Sequence, residues 1–450
     1  MTSQLKEHYV RARDSFWFLP ASLVVLAIAL SSSAVFLDRQ LDLDWAADST
    51  LALGVDGSRG LLTVIGGSVL GVAATAFSIT ISVIATASSS YGPRLVRNFM
   101  ADRGNQFVLG VFVSTFAYCV LVLRSVTAED SDAGREAFVP YVAVYLAILI
   151  AVVNIGCLVY FIHHIADSIQ ISTLVESVRD DLRRVAEREY PRDEERWSPA
   201  AVPATRLEPT DPRVLELSTG SPGYLVAVDV QSLVSYAAEH DLLIEVVPKV
   251  GDHLLPTEPI ARVRGSRESE LPDSLASAVR RRVSIDDART PYQDIRFAVQ
   301  QLSEMAVRAL SPGTNDPFTA QNAIEELAVG LAAVASGTEP PEGIADESGE
   351  LRLVLRRPRP IELIDIVFDD LRAHGSAQMR VVRPAIQLAK RVAENGSADL
   401  AQRAWMHVDL LLAAYAASGA AGFDVERMRE LATTSTRAVR RRPWPPDVGV

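Results

Sequence analysis

Small and hydroxylated residues recur along one long apolar segment of the chain. Between residues 61 and 87 they are spaced three or four apart: Ser68, Gly71, Thr75, Ser78 and Ser82. This spacing places them on one face of a helix. In one reading the face is a helix interface, because small residues such as Gly67 and Gly71 let helices pack closely. In the other reading, the hydroxyls of an oligomer line a water-filled path that needs no charged group.

A second set of candidate groups is the pair His163 and His164, with Asp167 one turn later. Histidine changes its charge near neutral pH, and together with a carboxylate four residues away it can also hold a metal ion. A metal site needs a third and a fourth ligand, which this segment does not supply. The sequence therefore favours an interfacial histidine pair, and we predict no metal site.

Arginine and asparagine are concentrated between residues 91 and 106, in the connection between two apolar runs. The side chains of interest there are Arg94, Arg97, Asn98 and Arg103. A cluster of positive charge at the mouth of a path can set its electrostatic field. We therefore expect this connection to form an electrostatic ring or to couple the apolar runs to the rest of the chain.

The polar segment 311–319 separates two predicted helices. Its candidate ligand-binding residues are Ser311, Thr314, Asn315, Asp316 and Thr319. In a structural reading, Gly313 permits a left-handed turn, Asp316 caps the next helix and Pro317 occupies the first helical position. In a functional reading, the free N–H groups at the start of that helix and the polar side chains bind an anion or another polar ligand.

Several classes of function find no support in the sequence. The formal net charge of −12 argues against nucleic-acid binding, which depends on a basic surface. Cys119 and Cys157 both lie in apolar runs, so they form neither a disulfide framework nor a CxxC metal site. No nucleophile elbow, P-loop, HExxH motif or dinucleotide-binding fingerprint occurs. We therefore predict no catalytic residue and no cofactor, and an enzyme is the least supported reading.

Four uncharged apolar runs in the first 165 residues are long enough to cross a bilayer core of about 30 Å. The predicted membrane helices cover about 16–37, 61–87, 107–123 and 139–162. The first run is expected to remain as an anchor rather than to be cleaved as a signal peptide. Asn154 interrupts the fourth run without adding charge, which disfavours a proton relay built from ionisable residues.

Basic residues outside the apolar runs lie mainly before the first run, after the second and after the fourth. Because positively charged connections stay on the cytoplasmic side, both termini are predicted to be cytoplasmic. Arginine outnumbers lysine 41 to 3, which is typical of a GC-rich bacterial genome. We expect a multi-pass protein of the bacterial inner membrane, in contact with the lipid bilayer.

After the membrane runs, the hydrophobic pattern predicts a mainly helical region with a smaller β-containing part. The predicted divisions are a coupling helix (166–190), a linker (191–215), a small β-containing module (216–266), a mainly helical domain (270–442) and a tail (443–450). Within the helical domain, 273–287 is predicted as a helix, 337–350 as a mobile loop and 351–355 as a strand. The fold class is an α-helical integral membrane protein with a four-helix transmembrane region and a mixed α+β, mainly helical, cytoplasmic region.

Several motifs together resemble one known family. They include Phe16-Trp17-Phe18-Leu19-Pro20, Tyr91-Gly92-Pro93-Arg94, Asp102-Arg103-Gly104-Asn105-Gln106, Tyr160-Phe161-Ile162-His163-His164, and the stretch from Ala309 to Pro317. The resemblance is to a bacterial family of predicted membrane proteins, domain of unknown function 2254. It implies a membrane location and this order of domains. It brings no activity, catalytic residue or cofactor.

These features lead to two hypotheses about function. The first is a homo-oligomeric, gated conduit for small ions or solutes, controlled by its cytoplasmic region through a small-molecule ligand or a cytoplasmic protein. The alternative is a membrane-anchored regulator or scaffold whose cytoplasmic helices bind a partner protein. Replacing the membrane helices by an unrelated anchor distinguishes the two, because a conduit cannot work without its own helices.

Overall fold

A computed structural model of the chain describes residues 17–40, 53–91, 102–128, 137–168, 171–192, 201–265 and 272–441. The chain divides into a first unit, Met1–Thr173, and a second unit, Leu174–Val450. Each unit has its own internal contacts.

Four long apolar helices make up most of the described part of the first unit. They are α1 (Phe18–Gln40), α2 (Val55–Tyr91), α3 (Arg103–Ser125) and α4 (Tyr141–Ser168). Each is long and apolar enough to cross a membrane, where a helix is stable because it satisfies its own backbone hydrogen bonds. The prediction of four membrane helices is confirmed. Helix α2 has 37 residues and exceeds the predicted run, because it continues through polar residues at both ends.

Helix α3 lies at the centre of the first unit and packs against α1, α2 and α4. Half of its apolar stretch is buried, against about a fifth in the other three helices. The close approach of α1 depends on Gly110, where a Cβ would lie 2.7 Å from Leu23 Cδ1. At the end where α1 finishes and α4 begins, Asp38 accepts hydrogen bonds from the N–H groups of Val142 and Ala143, at 2.9 and 3.1 Å.

Two sheets lie in the second unit. The strands are β1 (Ala201–Val202), β2 (Val214–Ser218), β3 (Gly223–Val228), β4 (Leu242–Val246), β5 (His253–Leu254), β6 (Pro259–Gly265), β7 (Val283–Asp286), β8 (Gly343–Ala345) and β9 (Leu351–Leu355). The larger sheet has the order β1-β8-β9-β4-β6-β2, and the smaller has the order β5-β3-β7. Strands β4 and β9 are parallel, with Ile244 opposite Leu353, and the other pairs are antiparallel. Leu225, Ile244 and Leu353 belong to a buried core that both sheets share.

Helices form the rest of the second unit. They are α5 (Ile171–Glu189), most of which lies in this unit, α6 (Val230–Glu239), α7 (Leu275–Arg280), α8 (Ile295–Ala309), α9 (Pro317–Ala335), α10 (Pro360–Gly375), α11 (Met379–Asn395), α12 (Ala398–Ala417) and α13 (Gly422–Arg441). Helix α11 is central and packs against α9, α10, α12 and α13. Helix α5 buries an apolar face, and its Leu182 occupies the space that a side chain at Gly330 would need.

Several predicted boundaries differ from the structure because short strands depend on pairing with distant segments. The predicted linker, 191–215, contains β1 and the first residues of β2. The predicted mobile loop, 337–350, contains β8, whose three residues are buried between β1 and β9. The predicted helix 273–287 stops at Arg280 and is followed by β7. The sheets therefore draw strands from 201–355, a wider range than the predicted module. The predicted tail, 443–450, lies outside the described residues.

Candidate functional site

The hydroxyl residues of α2 lie on the face that the other three helices leave uncovered. We call Ser68, Gly71, Thr75, Ser78 and Ser82 the hydroxyl stripe, and all five are exposed. Its other side is buried and includes Leu62, Val69, Ala73, Ala76 and Thr80. A Cβ at Gly67 or Gly71 would meet no described atom within 4 Å. Within the described first unit, the stripe is therefore not used for packing.

One hydroxyl of the stripe is already satisfied by its own helix. The Thr75 hydroxyl donates to the Gly71 carbonyl oxygen at 3.0 Å, a common local bond for threonine in membrane helices. This bond keeps Thr75 compatible with lipid as well as with water.

A groove of about 260 Å³ lies between α2 and α4, beside the stripe. Its lining is mostly apolar, with Val64, Phe112 and Ile155 among the residues that form it, and Ser68 and Asn154 are its polar members. The groove thus joins one end of the stripe to a polar residue near the middle of α4.

Asn154 is 5% exposed and only part of its amide is hydrogen-bonded. Its Nδ2 donates to Thr115 Oγ1 at 2.9 Å and to the Ile150 carbonyl oxygen at 2.7 Å. Its Oδ1 has no hydrogen-bond partner among the described residues. A buried amide oxygen without a donor costs free energy, and a lipid chain offers no donor.

Asp102 and His164 come together where α3 begins and α4 ends, at the end of the first unit opposite to Asp38. Asp102 Oδ1 accepts the Gly104 N–H at 2.7 Å and so caps α3, while Asp102 Oδ2 lies 2.6 Å from His164 Nε2. Tyr160 stacks on His164 with ring centroids 5.4 Å apart. A Cβ at Gly104 would lie 2.8 Å from His164 Nε2, so the glycine leaves room for this contact.

The remaining candidates near this end are either exposed or outside the described residues. His163 and Arg103 have exposed side chains, so the two neighbouring histidines differ in their surroundings. The side chain of Asp167 and the residues Arg94, Arg97 and Asn98 lie outside the described part of the chain. No three His, Cys, Asp or Glu side chains gather as metal ligands among the described residues.

The segment 311–319 forms a tight connection between α8 and α9. Asp316 Oδ1 accepts the Thr319 N–H at 3.1 Å, and Asp316 Oδ2 accepts the Thr319 hydroxyl at 2.6 Å. Ser311 donates to Thr314 at 3.3 Å. The predicted cap is confirmed, but the left-handed residue is Asn315, with φ of 44°, and not Gly313.

The hydrogen bonds of Asp316 limit the kind of ligand that the 311–319 segment could bind. The hydrogen bonds from the Thr319 hydroxyl and from the N–H groups of Thr319 and Phe318 hold the pKa of Asp316 below its usual range. The carboxylate is therefore charged at the positive end of α9 and already satisfies that end. A second anion is disfavoured there, and a neutral or cationic polar ligand suits the segment better.

Two groups of charges in the second unit, each with one buried member, were not expected from the sequence. Asp294, 2% exposed, accepts two hydrogen bonds from Arg289, at 2.7 and 3.0 Å, and caps α8 through the Phe297 N–H. Gly251, with φ of 93°, leaves no room for a side chain beside this carboxylate. The only available signal was an Asp placed just before an apolar helix, which suggests a cap but not its arginine.

The second group joins α10 and α12, and its Asp365 and Arg403 are partly exposed. Asp365 accepts hydrogen bonds from Arg403 at 2.7 and 2.9 Å and lies 2.8 Å from His407 Nε2. His407 is 3% exposed and stacks on Phe368. These contacts fix α10 against α12, and the residues are about forty positions apart in the sequence.

A family model described as "Predicted membrane protein (DUF2254)" matches residues 13–391. An uncharacterized protein of Mycobacterium tuberculosis is 32% identical over 430 residues, which cover 95% of this chain and 79% of the relative. An uncharacterized protein of Mycobacterium bovis matches with the same identity and coverage. No solved structure matches the chain.

Proposed function

We propose that this chain, which belongs to the DUF2254 family of predicted membrane proteins, forms a homo-oligomeric conduit for small ions or solutes. The observation that carries the proposal is the exposed hydroxyl stripe of α2, which no described residue of the first unit covers. Copies arranged around an axis place such a face toward water or toward another copy. Serine and threonine hydroxyls can line a path for small ions or solutes without introducing charge at membrane depth.

The proposal includes an orientation in the bacterial inner membrane. The alternation of basic segments along the sequence supports cytoplasmic termini. In that orientation Arg103, together with Arg94 and Arg97, contributes positive charge to the cytoplasmic mouth. The second unit then controls opening from the cytoplasm, and the 311–319 segment is the proposed site for a polar ligand.

The orientation is tested by labelling a single cysteine in intact cells. Ser348 lies exposed in the connection between β8 and β9, so Ser348→Cys is accessible without disturbing the sheets. Cys119→Ala and Cys157→Ala remove the native thiols. A membrane-impermeant maleimide is expected to label Ser348→Cys only after the inner membrane is broken. Labelling in intact spheroplasts contradicts the proposed orientation.

The conduit is tested by flux through purified full-length protein in liposomes. Ser78→Leu combined with Ser82→Leu replaces two stripe hydroxyls by bulky apolar groups and is expected to reduce flux at least tenfold. Ser32→Leu is the matched control, because Ser32 is an exposed serine on α1. The control is expected to leave flux unchanged. Absence of ion or solute flux under every tested pH, membrane tension and ligand condition contradicts the conduit.

The alternative function is a membrane-anchored regulator that binds a partner protein. It is favoured by a groove of about 1220 Å³ in the second unit, lined by α11, α12 and α13 and including Trp405, Met406 and Leu412. In a strain that lacks the native protein, a version with the first unit replaced by an unrelated membrane anchor retains function only if this alternative holds. Loss of function on that replacement, with the second unit still expressed and folded, supports the conduit.

A further inference from the structure

We propose that the groove between α2 and α4 holds α2 of a second copy of the chain, whose Ser68 hydroxyl donates a hydrogen bond to Asn154 Oδ1. The inference rests on the homo-oligomer in the proposed function and identifies the contact between its copies. Two independent features of the described first unit support it: the uncovered stripe of α2 and the buried, unpartnered amide oxygen of Asn154, a residue that lines the groove.

None of the described residues donates a hydrogen bond to Asn154 Oδ1. The amide nitrogen is held by Thr115 and by the Ile150 carbonyl, and the oxygen is buried, so the proposed contact requires the amide to turn toward the groove. Ser68 of the same chain lines the groove, but it does not donate to Asn154 Oδ1. Within the described part of the chain the amide oxygen thus remains buried and unsatisfied, a state that association can relieve.

The stripe of α2 fits this groove better than the outward face of α4 does. Near the depth of Asn154 that face is apolar, with Leu149, Val152 and Ile155 each at least 59% exposed. Its exposed hydroxyls, on Tyr145 and Tyr160, lie about 9 Å or more along the helix from Asn154. Gly71 makes the stripe narrow, and small residues allow two helices to approach until side chains of one reach the other. The α2 helix of a second copy therefore supplies both the narrow packing surface around Gly71 and the Ser68 hydroxyl.

Symmetry selects Ser68 among the stripe hydroxyls. Copies that share one orientation in a membrane are related by an axis along the membrane normal, so every residue keeps its depth in each copy. Ser68 and Asn154 line one groove and therefore lie at a similar depth. Ser78 and Ser82 are farther along α2 by about 15 and 21 Å at 1.5 Å per residue, which is beyond reach of the same oxygen.

Thr75, the nearest remaining hydroxyl of the stripe, is about 10 Å along the helix from Ser68 and bonds within α2. The inference thus assigns Ser68 to the contact between copies and leaves Thr75, Ser78 and Ser82 to face the path. When each Ser68 reaches the Asn154 of the next copy, the contact closes into a ring if the rotation between copies allows it.

Cysteine cross-linking between differently tagged full-length chains tests the contact. Both chains carry Cys119→Ala and Cys157→Ala; one adds Ser68→Cys and the other adds Ile155→Cys, a groove residue that is 64% exposed. Oxidation in native membranes is expected to join the two tags, because a disulfide forms only when the Cα atoms come within about 7 Å. Ser78→Cys paired with Ile155→Cys is the matched control at another depth and is expected to give no cross-link.

A second measurement examines the hydrogen bond itself. Ser68→Ala is expected to raise the dissociation constant of the oligomer in detergent by about three- to twentyfold, the range found for hydrogen bonds between membrane helices. Ser82→Ala is expected to leave it unchanged. Adding Asn154→Ala to Ser68→Ala is expected to weaken association no further than Asn154→Ala alone, because both changes remove one bond.

Three outcomes separate this contact from the conduit. A monomer with a bound lipid and no cross-link between the tags overturns the contact and makes the groove a lipid site. Flux through liposomes without the Ser68→Cys to Ile155→Cys cross-link overturns the contact and leaves the conduit standing. The cross-link without flux supports the contact and removes the conduit.

Discussion

Asp38 in the first unit and Asp294 in the second are both buried carboxylates, but they bond to different kinds of group. Asp38 accepts from two backbone N–H groups at the start of α4. Asp294 accepts from the Arg289 guanidinium as well as from the backbone. The same contrast extends further: the Tyr118 hydroxyl donates to the Ala143 carbonyl oxygen, whereas Arg352 pairs with three carboxylates.

This difference reflects the surroundings of each unit. In a membrane the unsatisfied groups at helix ends are the main polar features to be matched, and side chains match them directly. In the second unit a charged side chain can be buried if an opposite charge and further hydrogen bonds accompany it. Asp38 and Tyr118 therefore join helices of the first unit through backbone groups, whereas ion pairs such as Asp365–Arg403 join distant elements of the second.

The largest effect is expected from removing the buried charge pair. Asp294→Ala leaves Arg289 without its partner and removes the cap of α8, so the free energy of unfolding is expected to fall by about 3–5 kcal/mol. Thermal unfolding of the full-length protein in detergent measures this change. Arg213→Gln, which alters an ion pair in an exposed turn, is the control and is expected to give no measurable shift. Equal melting temperatures for the two variants contradict the role assigned to the pair.

Helix contacts in the first unit provide the next test. Gly110→Leu forces α1 away from α3 and is expected to reduce the stability of the single chain by about 1–3 kcal/mol. Gly71→Leu places the same side chain on the uncovered stripe, so it is expected to weaken the oligomer and leave the stability of the single chain unchanged. Thermal unfolding and light scattering in detergent distinguish the two effects. Similar loss of single-chain stability in both variants shows that the stripe packs within the chain.

A smaller effect is expected at the junction of α1 and α4. Asp38→Ala removes the acceptor for the Val142 and Ala143 N–H groups and is expected to cost about 1–2 kcal/mol, as for the loss of a helix cap. Asp38→Asn keeps one side-chain oxygen and is expected to cost less. The measurement is thermal unfolding at neutral pH. Equal losses for asparagine and alanine mean that the carboxylate is held by its charge rather than by the backbone bonds.

The smallest effect is a pH dependence in the second unit. Burial opposes ionisation of Asp365, but hydrogen bonds from Arg403 and His407 outweigh it and hold the pKa of Asp365 below its usual range. A lowered folded pKa contributes stability above the unfolded value of about 4, and this contribution disappears as the pH falls through the folded pKa. The difference in stability between the native chain and Asp365→Asn is expected to be about 0.5–1 kcal/mol at pH 6 and to shrink by pH 3. A constant difference across this range contradicts the assignment.

The sequence was sufficient to identify the membrane helices because a charge-free run of that length is hard to explain otherwise. Their ends were less predictable. Helix α2 continues through Asp56 and Arg59, and α3 begins at Arg103, because polar residues at helix ends meet the membrane surface and do not stop a helix. Counting only charge-free residues therefore gave helices that were too short.

Contacts between distant residues could not be predicted from spacing. Asp102 and His164 are separated by 62 positions, and nothing in either neighbourhood indicates the other. Strand β8 has three residues within a stretch rich in Pro, Gly and Glu, and its partners lie in β1 and β9. At the 311–319 segment, composition identified the turn and the cap, but backbone hydrogen bonds to Ser311 and Ala309 placed Asn315, not Gly313, in the left-handed conformation.

Because α2 is long, a small change in its tilt moves its end by a large distance. Its 37 residues extend for about 55 Å, nearly twice the roughly 30 Å thickness of the hydrocarbon core. A rotation of α2 by about ten degrees around its midpoint moves its end at Tyr91 sideways by about 5 Å, close to the rise of one helical turn. A small change in the tilt of α2 within the bilayer therefore displaces its end far enough to rearrange any residues in contact with that end.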